Sequence, residues 1–260
     1  MIRLASWNVN GIRACHKGGC FLDWVKREQP DLIGLQEVRA DEGQLPDEVR
    51  DLPGYWKAWC PATSKKGYSG TAILSRREPK RVLCGMSTDE FDVEGRVITA
   101  EFDGIVFVSA YFPNSQEKGA RIDYKIRFCE RMHRHLEDLR RDLGKPVVLC
   151  GDYNIAHEPI DLARPNDNHD SPGFLPRERE WMTKFVNAGW VDTFRHLHPE
   201  KVAYSWWSAR TRARERNIGW RIDYHSIHRD DAHLVTGAAI EDQQLGSDHC
   251  PVRLELKSGL

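Results

Sequence analysis

Apolar residues along this chain recur with two different periods. Short runs rich in β-branched and aromatic residues lie at 2–7, 71–75, 96–102, 105–111, 146–150, 203–207, 221–227 and 252–256, and each is bounded by Gly, Pro, Asn or Asp. That length and those boundaries predict β-strands. Between them, apolar positions step by three and four, which predicts helices. Leu22 and Val25 form one such pattern, stopped at Pro30, and Ile122, Ile126, Cys129, Met132, Leu136, Leu139 and Leu143 form a longer one that ends at Gly144 before Pro146. A left-handed Gly cap followed by Pro is the expected helix stop. A third helix is predicted from Arg177 to Ala188, with Trp181, Phe185 and Ala188 on one face and Gly189 closing it. Phe102-Asp103-Gly104-Ile105 carries the Asp-Gly signal of a tight antiparallel turn. Hairpins mixed with strand-helix-strand units argue for an α/β chain with mixed sheets.

Length and composition narrow the class without naming a function. At 260 residues the chain is long enough for one well-buried core, so a single domain over 1–260 is expected. With 40% hydrophobic and 30% charged residues, it resembles neither a disordered nor a membrane protein. The N-terminus enters directly into Ile2, Leu4, Ala5 and Trp7, without a basic leader and apolar signal core, which points to a cytoplasmic address and no membrane partner. Seven cysteines with no CxxC pair read as reduced core residues. A net charge of −1 gives no overall attraction to a polyanion, but Arg210, Arg212, Arg214, Arg216 and Arg221, bracketed by Trp206, Trp207 and Trp220, form a local cationic stretch.

Candidate chemistry is concentrated at the ends of the apolar runs. Ser6-Trp7-Asn8-Val9-Asn10-Gly11, Leu35-Gln36-Glu37, Gly151-Asp152-Tyr153-Asn154, Arg221-Ile222-Asp223-Tyr224 and Gly246-Ser247-Asp248-His249 all fall there. Acids and amides on rigid strand ends can converge on one cation, and a carboxylate and carboxamide set without a Cys/His cage favours Mg or Mn over zinc. If the strand from Val147 continues, Asp152 and Asn154 share a face; the same four residues are also good turn chemistry.

These strings resemble the exonuclease III family of abasic-site (AP) endonucleases, within the endonuclease/exonuclease/phosphatase superfamily, almost end to end. The resemblance implies a four-layer α/β sandwich: two mixed β-sheets packed face to face, helices outside, and the active site at one end. It implies Glu37 as principal magnesium ligand, with Asn8, Asn10, Asp248, Asp152 and Asn154 around the metal, its waters or the phosphate. Animal members carry an acid at position 10, where this chain has an amide. Asp152 would activate the attacking water, and an Asp223–His249 pair would present an imidazolium to the phosphate, although sequence leaves open which of Asp152 and His249 is the base. Tyr111 would lie against the scissile phosphate, and Asn114 would contact DNA.

Substrate choice rests on further positions. By resemblance to the animal enzymes, Trp206, Trp220 and Ile222 line an apolar pocket for a flipped-out abasic sugar, and Gly173 leaves room beside it for continuing duplex. Where those enzymes wedge an Arg and a Met into the grooves, this chain aligns Glu117 and Arg210, and Lys118 with the arginine stretch would take phosphate contacts. The implied activity is Mg-dependent (or Mn-dependent) cleavage of double-stranded DNA 5′ to an abasic site, by a monomer, in base excision repair. The rivals are 3′-to-5′ exonuclease or 3′-end trimming on the same scaffold, a phospholipid or inositol-phosphate phosphoesterase, and a non-catalytic DNA-binding protein.

Overall fold

The computed structural model describes all 260 residues. Twelve strands form two six-stranded sheets. The first contains β1 (Ile2–Asn8), β2 (Leu32–Gln36), β3 (Trp56–Cys60), β4 (Thr71–Ser75), β11 (Val235–Ile240) and β12 (Val252–Leu256), in the order β11-β12-β1-β2-β4-β3. The second contains β5 (Arg81–Cys84), β6 (Val97–Glu101), β7 (Val106–Tyr111), β8 (Val147–Asp152), β9 (Trp190–Asp192) and β10 (Asp223–His228), in the order β5-β6-β7-β8-β10-β9. Each sheet has one central parallel pair, β1 with β2 and β7 with β8, flanked on both sides by antiparallel strands. Read from opposite ends, the two sheets have the same plan, and β1 occupies in one the place that β8 occupies in the other.

Strand alternation explains how the layers stack. Leu4, Leu32, Phe107, Val148 and Leu254 point between the sheets, whereas Ala5, Trp7, Ile33 and Leu35 point outward beneath the helices Ile12–Lys17 and Cys20–Glu28. On the far side Val106, Val108, Val147 and Leu149 meet Phe128, Cys129, Met132 and Leu136 of helix Ile122–Leu143, together with Trp181, Met182 and Phe185 of helix Pro176–Asn187. The central strands are therefore apolar on both faces, as parallel pairs covered by helices must be. The expected four-layer sandwich is what forms. No helix is long and apolar enough to cross a membrane.

The long helix ends with Gly144 at φ 60°, its N–H bonded to the Arg140 carbonyl, as its sequence predicts. The turn at Asp103-Gly104 closes the β6–β7 hairpin through a Phe102 N–H to Ile105 carbonyl bond of 2.9 Å. The 203–207 run differs from expectation: it forms only isolated bridges, Trp206 to Trp220 and Trp206 to His249, because the chain there follows the rim of a cleft rather than a sheet. All seven cysteines are free, and five are buried.

The sheets leave no room for a side chain at Gly34 of β2. A Cβ there would come within 2.5 Å of Cys150 Sγ and 2.9 Å of Ser109 Oγ on the facing sheet. Gly34→Ala is expected to cost about 1–3 kcal/mol by overpacking. The melting temperature should fall by several degrees in calorimetry, and adding Cys150→Ala should restore part of the loss.

Candidate active site

At one end of the sandwich the strand ends converge. Asp152 closes β8, and in ladder register it lies beside Tyr111 on β7 and Asp223 on β10. From the other sheet, Asn8 at the end of β1 donates from Nδ2 to Asp152 Oδ2 at 2.9 Å. Beyond the strands the backbone turns sharply, with Asn10, Glu37 and Asn154 at φ 45°, 50° and 52°. These left-handed conformations redirect each side chain toward a common cleft of about 640 Å³. Asn154 does not reach Asp152 by sharing a strand face. The strand stops at Asp152, whose Oδ1 accepts the Asn154 N–H at 2.8 Å, which is the turn chemistry that the sequence also offered.

His249 precedes β12 and is buried. Its Nδ1 hydrogen-bonds Asp223 Oδ2 at 2.9 Å, and its Nε2 lies 3.8 Å from Asp152 Oδ2. Burial alone would lower the imidazole pKa, but Asp223, then Asp152 and Asp248, outweigh it and hold the ring in its charged form. Burial raises the Asp152 carboxyl, opposed by His249 and assisted by Asp223. Asp223 lies behind the imidazole, outside the cleft lining, and accepts from Ser205 Oγ at 2.6 Å. Ser205 in turn accepts the Ile222 and Asp223 N–H groups, each at 3.1 Å. The serine that fixes this carboxylate is a residue the sequence reading missed.

Glu37, Asn10, Asp152, Asn154 and Asp248 share the cleft, together with Tyr111, Asn114, Gly173, Trp206, Arg210, Trp220 and Ile222. Glu37 accepts from the Tyr111 hydroxyl and from Arg39, a second missed residue that lies two positions along the same string and lines the same cleft. Asp248 accepts from Asn10 Nδ2 at 2.8 Å and from Trp206 Nε1 at 3.0 Å. Burial would raise its carboxyl, but His249, Trp206 and Asn10 more than compensate and lower it. Asn114 Nδ2 donates to Asn154 Oδ1 at 3.0 Å. The guanidinium of Arg96 stacks 4.6 Å above the Tyr111 ring and steadies it; no local sequence signal marks that arginine.

Two further expected residues stand outside the cleft lining. Asn8 is buried beneath the cleft rather than lining it, its amide bonded to Asp152 and its Oδ1 accepting the Asn10 N–H. Lys118 is exposed on a turn away from the cleft. The arginine stretch is not one cationic face. Arg210, Arg212 and Arg216 are exposed, but Arg214 stacks on Trp207 and donates to the Ser247, Asp242 and Gln244 carbonyls, and Arg221 is buried in ion pairs. The segment folds into two short 3-10 turns, which separate arginines that are close neighbours in sequence.

The apolar side of the cleft is aromatic. Trp206 and Trp220 meet edge to face with centroids 6.3 Å apart, over Ile222, Phe174 and Leu162. Gly173 has φ +93°, and a Cβ there would meet Asn154 O at 3.2 Å and Trp220 Cζ3 at 3.3 Å. Bulk at that position would press on both walls.

A family model described as endonuclease/exonuclease/phosphatase matches residues 5–249. The chain belongs to this family. A 254-residue alignment with an exodeoxyribonuclease of Bacillus subtilis is 45% identical, covering 97% of this chain and 98% of that protein. The DNA repair nuclease APEX1 of Danio rerio is 42% identical over 258 residues, covering 98% of this chain and 82% of the relative. The structure of an AP endonuclease from Archaeoglobus fulgidus superposes with a TM-score of 0.86 at 28% identity, over 99% of this chain and all of the other. Family members are phosphoesterases that work with a metal, and the donors here fit one. Three carboxylates, Glu37, Asp152 and Asp248, and two amides, Asn10 and Asn154, line the cleft and provide hard oxygen ligands.

The loop carrying Trp220, Ile222 and Asp223 is pinned by Arg221. Its Nε donates to Asp161 Oδ1 at 2.9 Å and its Nη2 to Asp192 Oδ2 at 2.7 Å, all within the interior. Burial would raise the Asp161 carboxyl, but Arg221 and Arg195 prevail and lower it. A carboxyl depressed in the folded state stabilises above its unfolded pKa, about 4, and that contribution disappears as pH falls through the folded value. Arg221→Met should therefore cost about 3–5 kcal/mol at pH 7. In urea titrations at pH 7 and in acid, the variant should lose less stability on acidification than the wild type does.

Proposed function

We propose that the chain is a magnesium-dependent AP endonuclease acting in base excision repair, one that hydrolyses the phosphodiester 5′ to an abasic site in duplex DNA and works as a monomer; manganese would substitute. The observation that carries this reading is the junction of the buried Asp223–His249–Asp152 cluster with the Trp206–Trp220–Ile222 wall in one cleft. Such a wall offers rings and aliphatic carbon to a sugar without its base, and extrusion costs least where pairing is already lost. The names of the zebrafish and archaeal relatives agree with it.

Asp152 would take a proton from a water that attacks phosphorus as the bond to the 3′-oxygen breaks; the departing oxyanion takes a proton from solvent, leaving a 3′-hydroxyl and a 5′-deoxyribose phosphate. Charged His249, held by Asp223 and through it by Ser205, faces the phosphate oxygens where negative charge grows. Tyr111, Asn154 and Asn114 supply neutral donors around the same phosphate. Glu37, Asn10 and Asp248 would hold the cation, and Asp152 and Asn154 lie within reach. Bound there, it would neutralise charge on the phosphate and the departing oxygen. Exposed Arg210 at the cleft mouth suits a DNA phosphate. A second reading, trimming of 3′ ends at the same site, is favoured by the exodeoxyribonuclease name of the Bacillus subtilis relative.

A labelled duplex with one tetrahydrofuran abasic analogue, run beside an intact duplex with a recessed 3′ end, separates the two. Incision at the analogue with magnesium, abolished by chelator, is expected; digestion from the 3′ end alone would establish the second reading. On the abasic duplex, Asp152→Asn should lower kcat by about 100-fold or more. Near-normal turnover in Asp152→Asn with none in His249→Asn would instead make His249 the base.

A further inference from the structure

Away from the reacting groups, the interior holds one ion pair whose two side chains are both wholly inaccessible. Lys125 Nζ on helix Ile122–Leu143 lies 2.6 Å from Glu178 Oε1 in the first turn of helix Pro176–Asn187. A buried pair is weak evidence for stability, since well-packed apolar side chains of similar volume often serve as well. What distinguishes this one is what else it holds. Lys125 Nζ donates to the Asn154 carbonyl at 2.6 Å. Glu178 Oε1 also accepts Ser115 Oγ at 2.5 Å, and Oε2 accepts the Gly173 N–H at 2.7 Å and the Leu175 N–H at 2.9 Å. All four neighbours of Glu178 are donors, so only a carboxylate can satisfy them together; an amide would set an N–H against an N–H.

The three segments gripped in this way are three walls of the cleft. Ser115 follows Asn114, Asn154 lines the cleft beside Asp152, and Gly173 is the small residue opposite Trp220. Gly173 is wedged between the Asn154 carbonyl and the Trp220 ring, and its own carbonyl accepts the Ala156 N–H at 2.7 Å. The spacing between the phosphate-facing asparagines and the aromatic wall is therefore set from behind, by one ammonium and one carboxylate.

We propose that Lys125 and Glu178 form a specificity-determining strut that fixes the width of the pocket for an extruded, base-free deoxyribose. They touch no substrate and act only by positioning Asn114, Asn154 and Gly173. This inference rests on the AP endonuclease reading. Without the strut the three walls separate, the fit to the base-free sugar loosens, and binding to undamaged duplex, which never enters the pocket, is untouched.

The test uses the full chain with Lys125→Met and Glu178→Leu combined, an apolar replacement of similar volume. Fluorescence anisotropy in chelator, where no cleavage occurs, gives Kd for a tetrahydrofuran duplex and for undamaged duplex of the same sequence. The double variant should fold but melt lower, since Ser115, the Gly173 and Leu175 N–H groups and the Asn154 carbonyl lose their partners; its Kd for undamaged DNA should hold, while its preference for the abasic duplex falls about tenfold, equivalent to about 1.4 kcal/mol. Lys125→Arg, which keeps the charge, should recover part of the preference that Lys125→Met loses. A folded double variant with wild-type preference overturns the strut, and so does equal loss of affinity for both duplexes. If the double variant fails to fold, isosteric Glu178→Gln decides: a reduced preference supports the strut and an unchanged one overturns it. Wild-type protein that binds both duplexes alike would overturn the AP endonuclease reading itself and the substrate assigned to the strut with it, an outcome visible before any variant is made.

Discussion

A carboxylate placed where two apolar sheets meet has to be surrounded by donors, and much of this architecture follows from meeting that need at Asp152. Its oxygens accept from Asn8 Nδ2, from the Asn154 backbone and from Asn154 Nδ2, while the charged ring of His249 stands close by. Asn8 comes from the opposite sheet, so the hydrogen bond that desolvation of Asp152 demands is also a bond between the two layers. Loosening the sheet packing would expose or orphan that carboxylate. Core and site are in this sense one problem.

Supporting charges are handled in the same manner one step further out. Arg221 answers Asp161 and Asp192 behind the pocket loop, and Lys125 answers Glu178 behind the opposite wall. Each pair is buried, and each holds main-chain atoms as well as its partner: the Arg221 N–H donates to the Asp161 carbonyl, and Lys125 Nζ to that of Asn154. A cleft that must stay open to water and a polyanion cannot be shaped by apolar packing alone. Directional bonds from the rear supply the rigidity that a preformed site requires.

How much of this could be read from the chain depends on where a residue sits in the sheets. The interior strands β1, β2, β4, β6, β7, β8, β10 and β12 carry apolar runs that announce themselves, β2 only as the short run ahead of Glu37, because both faces or one full face must be covered. The four edges β3, β5, β9 and β11 went unread, since strands such as Arg81–Cys84 and Val235–Ile240 are largely exposed or half-buried and show little alternation. Site residues at the ends of interior strands were legible as polar strings. Ser205 and Arg96 were not, because their importance lies in partners distant along the chain, Asp223 and Tyr111. The arginine stretch misled for a related reason: composition counts Arg214 and Arg221 as surface charge, whereas both are consumed inside the fold. Asn8 and Asp152, at the ends of β1 and β8, occupy equivalent places in two sheets of one plan.

The strand pairing also imposes an order in time. β1 hydrogen-bonds on one side to β2 and on the other to β12, and the Trp7 indole donates to the carbonyl of His249, 242 positions later. During synthesis, therefore, Asn8, Glu37 and Asp152 emerge from the ribosome long before the imidazole that completes their cluster, and the first sheet cannot close until its final strand has been made. A growing chain carries donors and carboxylates but no assembled site. A nuclease built this way is harmless to nucleic acid until translation has passed its last strand.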